Sequence, residues 1–180
     1  MNKRRNKINR LDIRNYKPTE IVMAIAIPLI IKSILPFGEM IYIDILATTL
    51  FLLVISYWFY QVGIISFRVS QGLVSLSLNH FKFNFWYFLV FSLIMILIRA
   101  YDFQTVIVQS NLFYLFIIFQ VYYVFGFIYL LYFLSKSLQS SKIEREAKFV
   151  DYFNKLILFC FFPIGVWWLQ KEVNTLARSE

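Results

Sequence analysis

The sequence has little cysteine, histidine or glycine, and each scarcity excludes a class of site. Among 180 residues, Cys160 is the only cysteine, His80 is the only histidine, and the five glycines are scattered. A single cysteine excludes an intrachain disulfide, and one histidine leaves little material for a transition-metal site or a histidine-based triad. Because Cys160 lies between two phenylalanines, we expect it to be a buried, inert thiol.

Motifs that carry catalysis are missing as well. The sequence has no paired-carboxylate motif, no HExxH, no GxSxG and no glycine-rich phosphate loop. A membrane enzyme would need acid–base residues at one depth, and no such set can be identified. We therefore predict that the protein is not an enzyme and that it has no catalytic, cofactor-binding or metal-binding residues and no cofactor.

Charge is scarce and apolar residues are abundant. Only 16% of the residues are charged, against about 25% in soluble chains, whereas 60% are hydrophobic and 21% aromatic. The apolar residues form long runs, which predict an all-α, polytopic transmembrane helical bundle in a cell membrane. We expect one domain, residues 18–170, with five spans. The predicted spans are residues 18–35, 41–60, 83–100, 112–134 and 153–169.

The first 17 residues form a basic tail that we expect to be cytoplasmic and to lie on anionic lipid headgroups. One acidic residue, Asp12, opposes its cations. No small-x-small cleavage site follows the first apolar run, which indicates an uncleaved span and not a signal peptide. Nucleic acid is the alternative partner for such a tail, but no aromatic or groove-reading pattern accompanies the charges, so we predict none. The basic residues are Lys3, Arg4, Arg5, Lys7, Arg10, Arg14 and Lys17.

Charge counting supports this threading. With the N-terminus inside, the segments predicted to be cytoplasmic carry 14 lysines and arginines, and the outer segments carry 3. This bias fits the positive-inside rule. It does not decide the last span, because Lys171 and Arg178 would join the inside set if the short polar tail, residues 171–180, stayed cytoplasmic.

The segment before the last apolar stretch predicts an amphipathic cytoplasmic helix over residues 141–152. Ser141 and Glu144 have the spacing of a capping box at its start. The apolar stretch that follows, residues 156–169, reaches only about 21 Å as a helix, and Pro163 and Gly165 interrupt it. We predict a fifth crossing there, with a re-entrant or surface-lying segment as the open alternatives.

Two opposite charges flank the first predicted turn. Lys32 and Asp44 each lie six residues from Gly38, so a tight antiparallel hairpin places them at similar depth. We expect a candidate intramembrane ion pair, with Thr48 one helical turn beyond Asp44. The pair either fixes the register of the hairpin or forms part of an ion or proton pathway. Snorkelling of Lys32 to the surface is a further alternative.

Two further polar features lie in or beside the spans. Gln120 lies within the fourth span, where we expect it to form a hydrogen bond with a neighbouring helix. Arg99 and Asp102 are three residues apart at the end of the third span, and we expect them to pair at the outer interface.

The C-terminal segment "FFPIGVWWLQKEVN", residues 161–174, resembles the closing segments of small uncharacterised bacterial multi-span membrane proteins. The resemblance covers about a tenth of the chain and carries over no functional residue. It implies a multi-pass protein of the bacterial inner membrane.

The function we expect is non-catalytic. The sequence favours a small integral membrane protein that acts as an accessory or structural subunit through helix–helix contacts, either with another membrane protein or with itself. One alternative is a protomer of a small transporter or channel that uses the Lys32, Asp44, Thr48 and Gln120 side chains. Another is an immunity-type membrane protein. The sequence leaves the partner, the substrate and the oligomeric state open.

Overall fold

The computed structural model describes residues 17–34, 41–101, 103, 113–162 and 164–179. No strand occurs among these residues, so the all-α class is confirmed for them. They form the helices α1 (Pro18–Ile34), α2 (Ile41–Ser70), α3 (Leu78–Ala100), α4 (Phe113–Ile143), α5 (Phe149–Cys160) and α6 (Ile164–Ser179).

Three of the helices are long and apolar enough to cross a membrane. These are α2, α3 and α4, with 30, 23 and 31 residues. At about 1.5 Å per residue, each exceeds a hydrocarbon core of about 30 Å. The apolar helix α1 is shorter, with 17 residues. By length and composition, the chain therefore has the character of a membrane protein.

Neighbouring helices run in alternating directions. Gly63 on α2 contacts the ring of Phe81 on α3, where an added Cβ would lie 2.3 Å from that ring. Phe81 in turn stacks on Phe133 near the end of α4, at 4.4 Å between centroids. Phe88, two turns further along α3, stacks on Tyr123, earlier in α4, at 5.1 Å. The α3 and α4 helices are therefore antiparallel, as an up-and-down bundle requires.

The buried core is concentrated in the second halves of α2 and α4. The first half of α4, up to Phe125, has no buried residue, whereas most residues from Leu130 to Ser141 are buried. Trp58, Phe81, Phe133 and Phe159 are among the largest fully buried side chains. The core thus fills one half of the bundle, and the apolar first half of α4 stays exposed.

Two helices extend beyond their predicted spans. The α2 helix continues ten residues past residue 60, and α4 continues nine past residue 134. Polar residues such as Arg68 and Ser137 end an apolar run, but they do not end a helix whose backbone hydrogen bonds continue. Residues 71–77 then connect α2 to α3, which begins five residues before the predicted position 83.

The predicted helix over residues 141–152 is wrong. Residues up to Ile143 belong to α4, and the chain turns at Glu144, whose φ of 55° is in the left-handed region. Ser141 does not cap a helix, because its hydroxyl donates to the Leu138 carbonyl within α4. The N-terminal cap forms later: the Asp151 carboxylate accepts the Lys148 backbone N–H at 3.0 Å, at the start of α5.

The predicted span over residues 153–169 is divided into two helices that fold back on each other. The α5 helix ends at Cys160 and α6 begins at Ile164. Lys155 on α5 forms an ion pair with Glu172 on α6. These residues would lie about 25 Å apart along one continuous helix, so the pair shows an antiparallel hairpin. The segment predicted as a short polar tail, residues 171–180, is part of α6 through Ser179.

Glycine makes this hairpin possible. A Cβ built on Gly165 would lie 1.8 Å from the Leu158 carbonyl oxygen, so the first turn of α6 is pressed against the backbone of α5. Proline at position 163 lacks an N–H and disfavours continuation of α5.

Candidate functional site

A polar pocket lies between α2 and α3, near the start of α2 and the end of α3. It has a volume of about 390 Å³, and its polar walls are Asp44 and Thr48 on α2 and Arg99 on α3. The α2 residues were predicted from the sequence to share a face. Asp44 and Thr48 are each engaged in an interaction within the chain. The structure thus brings Arg99 to the same pocket as Asp44. The predicted partner of Arg99, Asp102, lies outside the described residues.

The α1 and α2 helices share a groove at the end away from the predicted turn. Ala24 of α1 and Leu53 of α2 line one groove, and they lie 14 and 15 residues from Gly38. The Lys32 side chain is outside the described part of the structure. Its pairing with Asp44 therefore stays a prediction.

Gln120 lies on the face of α4 that packs against α3. Its neighbours along this face, Phe116 and Tyr123, both contact the ring of Phe91 on α3. The Oε1 atom of Gln120 is buried and accepts no hydrogen bond from any residue that the structure describes. The predicted hydrogen bond with a neighbouring helix therefore stays a prediction.

The basic tail is described only at its last residue. Lys17 is exposed, and its backbone N–H donates to the Glu20 carboxylate at 2.9 Å, which caps the start of α1. The other six cations of the tail, from Lys3 to Arg14, lie outside the described residues.

A buried amide network joins α2 to the C-terminal hairpin. The indole N–H of Trp58 donates to Gln170 Oε1 at 2.7 Å, and Gln170 Nε2 donates to Asn174 Oδ1 at 2.7 Å. Trp58 is 1% exposed and Gln170 is 0% exposed. A hydrogen bond between buried polar side chains fixes the distance and rotation of α6 against α2, because neither group has water as a substitute partner.

Two lysines converge on one carboxylate of the hairpin. Lys155 contacts Glu172 Oε1, and Lys142 at the end of α4 reaches the same oxygen at 3.4 Å. The Lys155 side chain is 12% exposed, whereas the Lys142 side chain is 58% exposed. The inner lysine is therefore the partner that compensates the half-buried Glu172 charge.

A second ion pair joins α4 to the α4–α5 connection at this end of the bundle. Lys136 Nζ lies 2.8 Å from Glu146 Oε1, which also accepts the Ser75 hydroxyl at 2.9 Å. Lys136 further donates to the Tyr132 hydroxyl at 3.1 Å. The hydrogen bond from Lys136, and then that from Ser75, lowers the pKa of Glu146. The ion pair therefore holds the α4–α5 connection against α4, and the Ser75–Glu146 hydrogen bond ties that connection to the α2–α3 connection.

Buried serines are the feature that sequence reasoning missed. The hydroxyls of Ser66 on α2 and Ser137 on α4 lie 2.9 Å apart. On α4, Ser135 and Ser141 return hydrogen bonds to their own helix, and Ser140 accepts the Ala147 N–H at 2.9 Å. Small residues allow close helix packing, so the run "SKSLQSS" was an available signal for a helix interface.

Among the described residues, no three His, Cys, Asp or Glu side chains cluster as metal ligands would. The predicted burial of Cys160 is wrong, since this residue is exposed at the end of α5. An apolar surrounding in sequence does not bury a residue on a helix whose apolar face is turned outwards. His80 is also exposed, in the first turn of α3.

Comparison of the chain with protein-family models, with curated proteins and with solved structures finds no match.

Proposed function

We propose that this chain is a non-catalytic integral membrane protein, an accessory or structural subunit that acts through helix–helix contacts. The observation that carries the proposal is the distribution of polar and apolar groups. The Trp58–Gln170 hydrogen bond and the Lys155–Glu172 ion pair face inwards, whereas α3 and α4 expose large apolar side chains. Polar groups that serve the fold itself and apolar groups that face outwards are typical of a protein whose surroundings are lipid and other helices.

The proposed threading has the N-terminus in the cytoplasm and helices α1 to α4 crossing the membrane. The chain would then have four crossings and not five, because the C-terminal hairpin returns to the side from which it starts. This arrangement moves Lys171 and Arg178 to the cytoplasmic side. Of the three cations counted outside, Arg99 is then the one left there, which strengthens the positive-inside bias.

The surface proposed for a partner helix is the outward groove between α3 and α4. It has a volume of about 490 Å³ and is almost wholly apolar. Val90 and Ile94 on α3 and Phe119 on α4 are among its lining residues, and all three are exposed. A groove of this kind accepts the side chains of a neighbouring helix by close packing, which is the main attraction between helices in lipid.

Co-purification tests the proposal. The full-length chain would be extracted in mild detergent, and its companions identified by mass spectrometry. Val90→Trp with Ile94→Trp fills the groove, and Met23→Trp, at an exposed site on α1, is the matched control. We expect a defined membrane partner, or a second copy of the chain, with the parent and the control but not with the filled groove. A monomer without companions would contradict the proposal.

A transporter or channel protomer is the second candidate, and the pocket between α2 and α3 favours it. A carboxylate, a hydroxyl and a guanidinium, from Asp44, Thr48 and Arg99, line one cavity near the end of the bundle. Polar side chains around a cavity in a membrane protein mark a route for ions. Ion flux into liposomes that holds for the parent and falls with Thr48→Val would favour this candidate over the accessory subunit.

A further inference from the structure

The polarity of α5 is inverted relative to a helix on a water-soluble protein. Its charged residues Asp151 and Lys155 are half-buried and form ion pairs, with Arg145 and Glu172 respectively. The opposite face is apolar and open. A surface helix in water turns its apolar stripe to the core and its charges outwards. The exposed apolar residues of α5 and the turn after it are Phe149, Val150, Phe153, Ile157 and Phe161.

The α6 helix continues this apolar surface. Ile164, Trp167 and Trp168 are 65%, 40% and 54% exposed, while Val166 and Leu169 fill the core. A contiguous exposed apolar patch of this kind marks a surface that contacts a membrane or another protein. The hairpin therefore presents one outward surface, Phe149 to Trp168, which we call the hairpin face.

The depth of the hairpin is fixed by Trp58. The rings of Phe159 and Phe162, at the turn of the hairpin, lie 5.9 and 5.5 Å from the Trp58 ring. Trp58 is twelve residues, or about 18 Å, from the end of α2 at Ser70. The turn thus lies at mid-height of α2, and the two outer ends of the hairpin lie towards the end at which α2 and α4 finish.

Charge on the hairpin complements lipid phosphate. The carboxylates Asp151 and Glu172 are half-buried in ion pairs. Two exposed lysines lie on the hairpin or beside it: Lys148 precedes α5, and Lys171 on α6 lies over the Trp167 ring at 6.0 Å. A lysine stem can lie along apolar surface while its ammonium extends to the anionic headgroups.

From these contacts we infer that the α5–α6 hairpin is a re-entrant element whose hairpin face is embedded in the acyl chains of a single phospholipid leaflet. Lys148 and Lys171 contact the phosphates of that leaflet. The inference rests on the proposed function for one point, namely that the leaflet is the cytoplasmic one. It names a lipid as the occupant of this surface, whereas the proposed partner helix occupies the separate groove between α3 and α4.

Tryptophan quenching by brominated phospholipids tests the inference. The full chain carrying Trp86→Phe is reconstituted in vesicles of phosphatidylcholine and phosphatidylglycerol, and compared with the same protein lacking Trp167 and Trp168 through replacement by Phe. Trp58 remains as a shielded reference because it is 1% exposed. The difference between the two proteins reports the hairpin tryptophans alone. We expect bromines midway along the acyl chain to remove most of this difference signal, and bromines next to the headgroup to remove less.

Each other result overturns the inference. Strongest quenching by bromines next to the headgroup indicates a surface-lying helix, or a membrane crossing that places Trp167 at the interface on the opposite side of the membrane. No quenching at any depth indicates that a second copy or another protein covers the hairpin face. Alkaline extraction separates these failures from a failure of the proposed membrane role. A protein that stays in the membrane keeps the proposed role even if the quenching result contradicts the hairpin inference, whereas a protein that is released contradicts the proposed role itself.

A second variant keeps the test independent of tryptophan replacement. Phe153→Cys in a Cys160→Ser background is labelled with an environment-sensitive fluorophore before reconstitution, and we expect a blue-shifted emission in vesicles. When the unlabelled variant is reconstituted, we expect its cysteine not to react with a water-soluble maleimide. Thr175→Cys, exposed near the open end of the hairpin, is the matched site that we expect to react. Equal reactivity at the two sites overturns the inference.

Lys148→Gln with Lys171→Gln should weaken the preference for phosphatidylglycerol over phosphatidylcholine vesicles, and an unchanged preference overturns the assignment of the phosphate contacts.

Discussion

Trp58 in the middle of α2 donates its indole N–H to Gln170 on α6, across 2.7 Å and 112 residues of sequence. This hydrogen bond holds the C-terminal hairpin against the first half of the chain. Gln170 in turn donates a hydrogen bond from its side-chain amide to Asn174, one turn further along α6. The position of the hairpin in the bundle therefore depends on a polar contact between two fully buried side chains.

Removal of the indole donor should loosen the hairpin. Trp58→Phe takes away the donor to Gln170 Oε1 and should lower the free energy of unfolding by about 1–3 kcal/mol. Thermal unfolding in detergent measures the loss. Trp86→Phe is the matched control, since Trp86 is 55% exposed, and should unfold within about 0.5 kcal/mol of the parent. A Trp58→Phe protein as stable as this control would show that the bond contributes nothing.

The glycine at the hairpin turn should not accept a methyl group. Gly165→Ala places a Cβ on the Leu158 carbonyl, a backbone atom that moves only with the helix. We expect separation of α5 from α6 and a lower unfolding temperature. Gly126→Ala is the matched control, because its Cβ would meet only the Asn84 side-chain oxygen, at 3.3 Å. Similar unfolding temperatures for the two variants would contradict the tight turn.

The inner of the two lysines at Glu172 should matter more than the outer one. Lys155→Met leaves the half-buried carboxylate with the distant Lys142, and breaking a buried pair costs about 3–5 kcal/mol, less where water reaches it. Lys142→Met removes a mostly exposed partner and should cost less than about 1 kcal/mol. Chemical denaturation of both variants compares the costs. Lys155→Met with Glu172→Leu should recover stability relative to Lys155→Met alone, and no recovery would show that the pair is not the cause.

The ion pair of Glu146 should give the protein a pH-dependent stability. Because Lys136 and Ser75 lower the pKa of Glu146 below its ordinary 4.5, the unfolded chain takes up this proton first as the pH falls. The contribution is therefore complete above pH 4.5 and is lost as the pH passes through the lower pKa of the folded protein. Glu146→Gln should be less stable than the parent at pH 7, and the gap should close in acid. Glu144→Gln, an exposed control in the same connection, should show no such gap, and a gap independent of pH would contradict the pair.

Apolar runs predicted the helices well, because burial from water in a membrane depends on residues that are neighbours in sequence. The spans at residues 18–35 and 83–100 lie close to α1 and α3. The ends of α2 and α4 were not predictable in the same way. Ser66 and Ser137 lie in the parts of α2 and α4 that continue past the apolar runs, where the two helices contact each other. Their hydroxyls are 2.9 Å apart, although the residues are 71 positions apart in sequence.

The direction of the chain after Cys160 shows where the limit lies. Pro163 and Gly165 indicated an interruption of the helix, but the sequence did not distinguish a membrane crossing from a re-entrant segment. The choice depends on Trp58–Gln170 and on the ion pair of Glu172, which are contacts between separate elements. The polar pocket was found in part: Asp44 and Thr48 share a helical face in the sequence, but Arg99 reaches them only through the packing of α3 against α2.

The central claim is that the chain crosses the membrane an even number of times and ends on the side where it begins. Single cysteines in a Cys160→Ser background, at the exposed residues Asn79, Tyr101 and Thr175, test it with a membrane-impermeant maleimide on intact cells. We predict labelling of Tyr101→Cys from outside, and labelling of Asn79→Cys and Thr175→Cys only after the cells are permeabilised. Labelling of Thr175→Cys from outside while Asn79→Cys stays protected would contradict the claim, because the C-terminal hairpin would then be a fifth crossing.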